Sequence, residues 1–317
     1  MTRPRTAVLV LLLIAAVAVA GTKWATASHG GRDAGPAVYA TGTPNGVYHD
    51  FGQALADADG GTTLATAGSV ENLRLLAAGR ATFAFSTMDV AVAALRGQAP
   101  FPRPVPVRAV ARLYDDYLHL VTPAESPVYA IGDLRGLRVS VGSNGSGTAL
   151  VAERILSAAG LRPGRDVIRA EMSLTEAAEA LHEHRIDAFF WSGGLPTPGM
   201  TDLAASTSIR LVDLAEAADK LRSAYGSVYR TKPVPAGTYR GMTAAITTIA
   251  VPSLLVTTDT APTAQVERAT GRLFRTAAAT AGRIPAVGQI DPHAAVFTGV
   301  LALHDGARDY YRASKVG

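Results

Sequence analysis

The sequence predicts an α/β protein built as two lobes, and three observations carry this. From Ala37 onward, short β-rich runs alternate with Ala- and Leu-rich helical runs, the pattern of mostly parallel sheets covered by helices. The βα series restarts near residue 126, which places a cleft between two halves. The 31 Gly and 18 Pro of the 317 residues gather in turns between the runs, as tight strand-to-helix connections require.

In chain order, Ala37 to Thr41 reads as a strand, followed by a Gly-rich turn and a helix from Val47 to Asp57. Thr62 to Ala67 is a second strand. Ser69 is placed to cap a helix from Val70 to Ala78, with Glu71 in its first turn, where the helix dipole favours an acid. Phe83 to Ser86 and Asp89 to Arg96 form the third strand and helix, and the Pro-rich stretch Pro100 to Pro106 is a rigid connection. Val107 to Leu113 and Tyr117 to Thr122 read as two strands, with Asp115-Asp116 as a solvated turn between them.

The second series opens with a strand, Arg138 to Val141, a Gly/Ser loop, Gly142 to Thr148, and a helix, Ala149 to Ala159. Ser173 and Glu176 form a capping box on a helix that runs to His182. Ala188 to Trp191 is a strand ending in the turn Ser192 to Pro196, and Ile209 to Asp213 reads as the last strand of this series. Thr247 to Thr257 is a long β-rich run, and helices over Thr263 to Ala281 and Leu301 to Arg312 close the chain.

The N-terminus sets the compartment. Arg3 and Arg5 precede an apolar run of 14 residues, Ala7 to Ala20, with small-x-small sites at Ala18 to Ala20 and Ala25 to Ala27. That length suits a signal-peptide core better than a spanning helix, which needs about 20 residues. Residues 1–27 therefore read as a signal peptide or an uncleaved N-terminal anchor, and 28–36 as a disordered leader. Cleavage removes Arg3 and Arg5 and lowers the formal charge from +4 to about +2. Lobe I is then 37–122 plus 249–317, and lobe II is 123–248. With no Cys in the chain, disulfides, thiolate metal sites, Cys nucleophiles and Cys lipidation are all excluded.

Three turns share one chemistry: Thr41 to Tyr48, Ser86 to Asp89, and Gly142 to Thr148. Each sets small hydroxyl residues, and in two cases Gly, ahead of a helix, whose unpaired N–H groups and positive dipole end suit an anion. Taken singly these are ordinary turn residues; three in one chain point to a cleft for a small anion. Enzyme motifs are missing. The Gly142 loop lacks a P-loop ending, and no G-x-S-x-G elbow occurs. His182 and His184 stand two apart, so on a helix they face different ways; with Arg185 they read as a helix C-terminal cap. Arg112 reads as a surface residue at a strand end, and Tyr310-Tyr311 as packing of a terminal helix. Tyr48 and Trp191 flank Gly-rich turns, where an aromatic walls a pocket or fills a core.

These residues resemble the TAXI class of solute-binding proteins, which serve tripartite ATP-independent periplasmic (TRAP) transporters. The likeness runs from Val38 to Arg312. Thr41-Gly42 to Gly46-Val47-Tyr48 looks like the family's TGG-x-x-G-x-Y loop, and Gly68-Ser69-Val70-Glu71-Asn72-Leu73 like its GS-x-EN segment, the most specific match. Ser86 to Asp89 stands at its Q-[ST]-D turn, Val141 to Thr148 at its second Gly/Ser loop, and Ile186 to Phe190 with Gly193 to Pro196 at its IDA-F-F…G-x-P stretch. Pro235 to Tyr239 and His304 to Tyr311 resemble its late segments. Two departures stand out: Thr43-Pro44-Asn45 replaces a more Gly-rich stretch, and Ala149 stands where the family often has Glu.

The resemblance implies a type II periplasmic-binding-protein fold, each lobe a mixed sheet flanked by helices. It implies a protein that binds a glutamate- or 2-oxoglutarate-like solute without a cofactor and delivers it to TRAP-type permease subunits; a monomer is expected, and the mild charge and scattered His point to neither nucleic acid nor metal. A sensor kinase as partner, or a secreted enzyme, are the rival readings. The ligand candidates in the first lobe are Thr41, Asn45, Gly46, Tyr48, Ser69, Asn72, Ser86 and Asp89; in the second they are Ser143, Ser146, Gly147, Thr148 and Trp191. Asp89 either receives an amino group or complements its own helix dipole.

Overall fold

The computed structural model describes residues 35–315. The segment 1–27 and all but the end of the leader lie outside the described residues. Three strand–helix pairs come first: β1 (Val38–Ala40), α1 (Val47–Asp59), β2 (Thr62–Leu64), α2 (Ser69–Ala77), β3 (Phe83–Thr87) and α3 (Met88–Arg96). The long β4 (Val107–Pro123) leads into β5 (Arg138–Ser140), α4 (Gly147–Ala158), β6 (Ile168–Ala170), α5 (Leu174–His182) and β7 (Ala188–Gly193). Next come α6 (Pro198–Ser206), β8 (Ile209–Leu211), α7 (Ala215–Tyr225) and β9 (Arg230–Val234). A second long strand, β10 (Ile246–Thr258), precedes α8 (Thr263–Thr280) and α9 (Asp305–Ala313).

The strands order as β2-β1-β3-β10-β4-β7-β5-β6, with β8 on β4 and β9 on β10. β1 pairs in parallel with β2 and β3, and β5 in parallel with β6 and β7. These two parallel groups are joined by β4 and β10, which run antiparallel to each other. β10 gives residues 253–256 to β3 and residues 246–250 to β9. β4 pairs with β7 over Tyr117–Val121. The two long strands thus pass from one group to the other near Asp116 and Val251, which face each other. Pro252 opposes Asp115, and the register slips between Pro252 and Leu254. Proline offers no N–H to the ladder and a bulge bends the strand, so the ladder is interrupted beside the point where the groups meet.

Separate apolar clusters cover the groups. Phe51, Phe83, Phe85, Tyr114 and Leu273 pack beneath α1 and α8, and Leu181, Phe189, Met200 and Leu211 pack beneath α5 and α6. A larger cluster, including Leu118, Phe190 and Leu254, runs along both groups. Each such side chain contributes about 1.5–3 kcal/mol when fully buried.

Several expectations are corrected. Residues 107–123 form one strand, not two. Asp115 and Asp116 are 4% and 3% exposed rather than at a solvated tip, because Asp115 has cationic partners and Asp116 a tyrosine hydroxyl within reach. Arg112 is not a free surface residue; it pairs with Asp115 at 2.6 Å. Ser69 lies inside α2, whose N-cap is Gly68. β8 is not the last strand of its series: β9, which contains Pro233, extends the second group along β10. The C-terminal helix starts only at Asp305, since Leu303 bridges Ala109 and the His304 ring accepts from Gly306 N–H as an N-cap. Both bonds of the Ser173–Glu176 capping box are present. Tyr311 is buried and donates to Val110 O, so the terminal tyrosines pack as expected. Among the described residues no helix is long and apolar enough to cross a membrane.

Candidate functional site

The starts of four helices meet at one small cavity of about 50 Å³. Gly46, Val47 and Tyr48 open α1; Gly68 and Ser69 open α2; Thr87 caps α3; Ser146, Gly147 and Thr148 open α4; all line the cavity. Trp191 and Ser192 of β7 and Tyr114 and Asp116 of β4 complete the polar wall. The arrangement is local in origin. Each β-strand of a parallel group ends in a turn that hands the chain to a helix, so the helix N-termini crowd at the carboxyl ends of the strands. Each N-terminus carries unpaired N–H groups and about half a positive charge, which favours an anion.

Glycine permits this crowding. Gly68 adopts φ +128°, a conformation L side chains rarely adopt, and places its backbone near Ser146 of the other group. A Cβ on Gly147 would lie 2.9 Å from Ser69 Oγ. The two groups are therefore in direct contact across the cavity rim. Glu71 N–H also donates to Gly145 O at 2.9 Å.

The polar atoms at the cavity divide into satisfied and unsatisfied sets. Ser146 Oγ accepts from Ala149 N–H, Ser69 Oγ from Thr87 N–H, and Thr148 Oγ1 from Ser192 N–H. Trp191 Nε1 donates to Thr197 Oγ1 at 3.2 Å. Tyr48 stacks on Phe85 and its hydroxyl bonds both Asp116 Oδ2, at 3.0 Å, and Ser253 Oγ. The bulge beside Pro252 brings Ser253 there. In contrast, Thr87 Oγ1, Tyr114 Oη and Asp116 Oδ1 are buried without any partner. An unpaired buried polar group costs about 1–3 kcal/mol, and three of them gather at this one small cavity. Burial pushes the Asp116 carboxyl up to about 7, although bonds from Tyr48 and Ser253 pull the other way. Burial, and then the Asp116 charge, hold the Tyr48 and Tyr114 hydroxyls well above their ordinary value, so both remain protonated.

Of the residues singled out in the sequence, Gly46, Tyr48, Ser69, Ser146, Gly147, Thr148 and Trp191 line the cavity. The others lie off it. Thr41 Oγ1 donates to Leu64 O, and Ser86 Oγ to Thr87 O. Asn72 ties the ends of β1 and β3 together through Thr41 O and Phe85 O. Asn45 sits exposed at φ +65° and accepts from Gly199 N–H. Ser143 is half-buried in its turn, where its carbonyl accepts from Ser146 N–H. Asp89 is buried and accepts from Tyr229 Oη at 2.8 Å and Arg154 Nη1 at 3.4 Å. Thr87, Tyr114 and Asp116 were not among the sequence candidates. The readable signal is an acid pair flanked on both sides by Tyr and Leu, between Leu113 and Leu120. No cluster of metal-binding side chains occurs among the described residues, and His182 ends α5 with a bond to Thr207 Oγ1.

The NMT1-like family pattern spans residues 39–314. The chain belongs to the NMT1-like family. Among solved structures, this NMT1-like protein is similar to one from Bordetella bronchiseptica RB50, with a TM-score of 0.50 and 16% identity over 90% of this chain and 83% of that one. It also resembles the alkanesulfonate-binding protein SsuA of Xanthomonas axonopodis pv. citri bound to MOPS, with TM-score 0.45 and 17% identity over 82% of each chain. A third likeness is to the GluR0 ligand-binding core in complex with L-glutamate, with TM-score 0.47 and 11% identity over 81% of this chain and all of that one. What this chain shows in its own right is a mixed sheet with helices on its faces.

Proposed function

We propose that this NMT1-like protein is an extracytoplasmic solute-binding protein. It captures a small carboxylate or amino acid between lobes 37–122 plus 249–317 and 123–248, and hands it to a TRAP-type permease. One observation carries the reading: the unpartnered Thr87 Oγ1, Tyr114 Oη and Asp116 Oδ1 all belong to residues that line the cavity at which four helix N-termini meet. A binding protein acts by this inventory. The helix ends and the two hydroxyls receive an anionic group, and residues of both lobes close around it, so that binding favours the closed arrangement. The interrupted ladder near Asp115 and Pro252 is the natural place for the lobes to turn. No step of covalent chemistry is assigned to the site. Its lining has no Cys, His or Lys, and Ser69 Oγ and Ser146 Oγ accept backbone N–H bonds rather than facing a base.

The test is calorimetry of residues 37–317 against acidic, amide and neutral solutes, including glutamate, glutamine and 2-oxoglutarate. Saturable one-to-one binding to at least one small acid or amino acid is expected. Binding only to larger apolar acids, or turnover of the solute, would overturn the reading.

A further inference from the structure

The inference rests on the solute-binding reading above and narrows it. We propose that Asp116 receives a protonated amine of the solute, so that the site selects an α-amino acid over the matching 2-oxo acid.

Two adjacent carboxylates differ in the partners they meet. Asp115 and Asp116 follow one another in a β-strand, so their side chains leave opposite faces of the sheet. On its face Asp115 meets Arg112 Nη2 and Lys232 Nζ, each at 2.6 Å. Asp116 has no ion pair of this kind among the described residues. Its Oδ2 is held by Tyr48, while Oδ1 is buried with no partner at all. The groups that act on it most strongly are Tyr48 of α1, Ser253 of β10, its neighbour Asp115 and Asp89 of α3, and none of them is a cation. Tyr114 also faces it across the same wall.

A buried carboxylate with no cation beside it and one oxygen unbonded is costly. The missing partner must therefore enter with the solute, and it must be a donor, best a positively charged one. The rest of the cavity asks for the opposite sign. The N-termini of α2 and α4 and the free hydroxyls of Thr87 and Tyr114 favour an acceptor, best an anion. One small cavity that wants an anion at the helix ends and a cation at Asp116 fits the carboxylate and ammonium of an α-amino acid. A 2-oxo acid satisfies the helix ends but presents a carbonyl oxygen to Asp116 Oδ1, acceptor against acceptor. Sites built to bond a donor reject analogues lacking it, because the buried group is left unpaired.

The experiment compares matched pairs, L-glutamate with 2-oxoglutarate and L-alanine with pyruvate, by calorimetry at pH 8 on the wild-type chain and on Asp116→Asn. In the wild type, the amino member of whichever pair binds should be at least tenfold the tighter. In Asp116→Asn that preference should collapse, with the amino acid weakened tenfold or more and the oxo acid bound as well as before or better. Retained oxo-acid binding shows that the variant folds. A wild type that binds the oxo acid as tightly as the amino acid overturns the assignment of Asp116 while leaving the solute-binding reading intact. An equal loss of both classes in the variant also overturns it, since that is the mark of a purely structural carboxylate. If the wild type binds no member of either pair and no other small acid or amino acid, the solute reading falls, and this inference falls with it.

Discussion

Asp89 and Asp116 are both buried carboxylates in contact with a tyrosine hydroxyl, and they sit in neighbouring regions where the two halves of the chain meet. They differ in what else they touch. Asp89 Oδ2 accepts from Tyr229 and Arg154, and Oδ1 accepts from Val90 N–H at 2.9 Å. Arg154 also bonds the Tyr229 hydroxyl at 2.6 Å and lies over the Tyr225 ring. Every member of that cluster has partners within the chain. At Asp116 one oxygen is taken and the other is empty. A saturated buried network holds structure together, whereas one with an unbonded buried oxygen carries an unmet desolvation cost.

The largest test of this contrast is folding stability. Asp89→Ala leaves the Arg154 charge, largely buried at 16% side-chain exposure, without its carboxylate. Removing one partner of a buried pair costs about 3–5 kcal/mol, and urea unfolding at pH 7 should show a loss near the lower end, since Arg154 keeps the Tyr229 hydroxyl. Asp116→Asn removes a charge that has no counterion, so its stability should stay within about 1 kcal/mol of wild type or rise. Equal losses in the two variants would break the contrast.

A second test reads the same contrast through pH. Asp116 is raised from 3.8 to about 7 by burial. Between about pH 4 and 7 the folded chain therefore holds a proton that the unfolded chain releases, so this residue makes stability fall as pH rises through that window and level off above it. Asp115 works the other way. Burial alone would raise it, but Lys232 and Arg112 outweigh burial and hold it below its ordinary value. Its contribution is present above about pH 4 and is lost as the solution is acidified below that. Urea midpoints of wild type and Asp116→Asn should separate progressively between pH 4.5 and 7.5, with the variant gaining. Parallel curves would mean that Asp116 is not the uncompensated carboxylate described above.

How far the sequence reveals these regions follows from the range of the forces that build them. Helix starts are local, so Gly46, Ser69 and Ser146 to Thr148 are readable from a few neighbouring residues, and they do line the cavity. The alternation of β and α and the capping box on α5 are equally local, and they appear in place. Asp116 is different. Its environment comes from Tyr48, 68 residues away, and from Ser253, brought in by a bulge of β10. Two acids side by side look solvated until those partners are known. Asp89 likewise depends on Tyr229, 140 residues distant. Asn72 belongs to a specific motif, yet its amide is spent on the carbonyls of Thr41 and Phe85. A motif marks that a residue matters without saying whether it faces the solute or the strands beside it.

The smallest effect sets the scale for the others. The capping box on α5 is saturated like the Asp89 cluster, but it is exposed to solvent: Ser173 N–H donates to Glu176 Oε2 at 2.7 Å, and Glu176 N–H to Ser173 Oγ at 3.3 Å. Water can replace either bond, so losing them is cheap compared with stranding a buried charge. Ser173→Ala should lower stability by about 1 kcal/mol, the usual cost of an N-cap, measured by the same urea titration. Ser173 and Glu176 are not part of the cavity lining, so the affinity for any solute should change less than twofold. If Ser173→Ala instead cost as much as Asp89→Ala, burial would not be what makes a saturated network expensive to break. The separation drawn between Asp89 and Asp116 would then have to rest on the count of bonds alone.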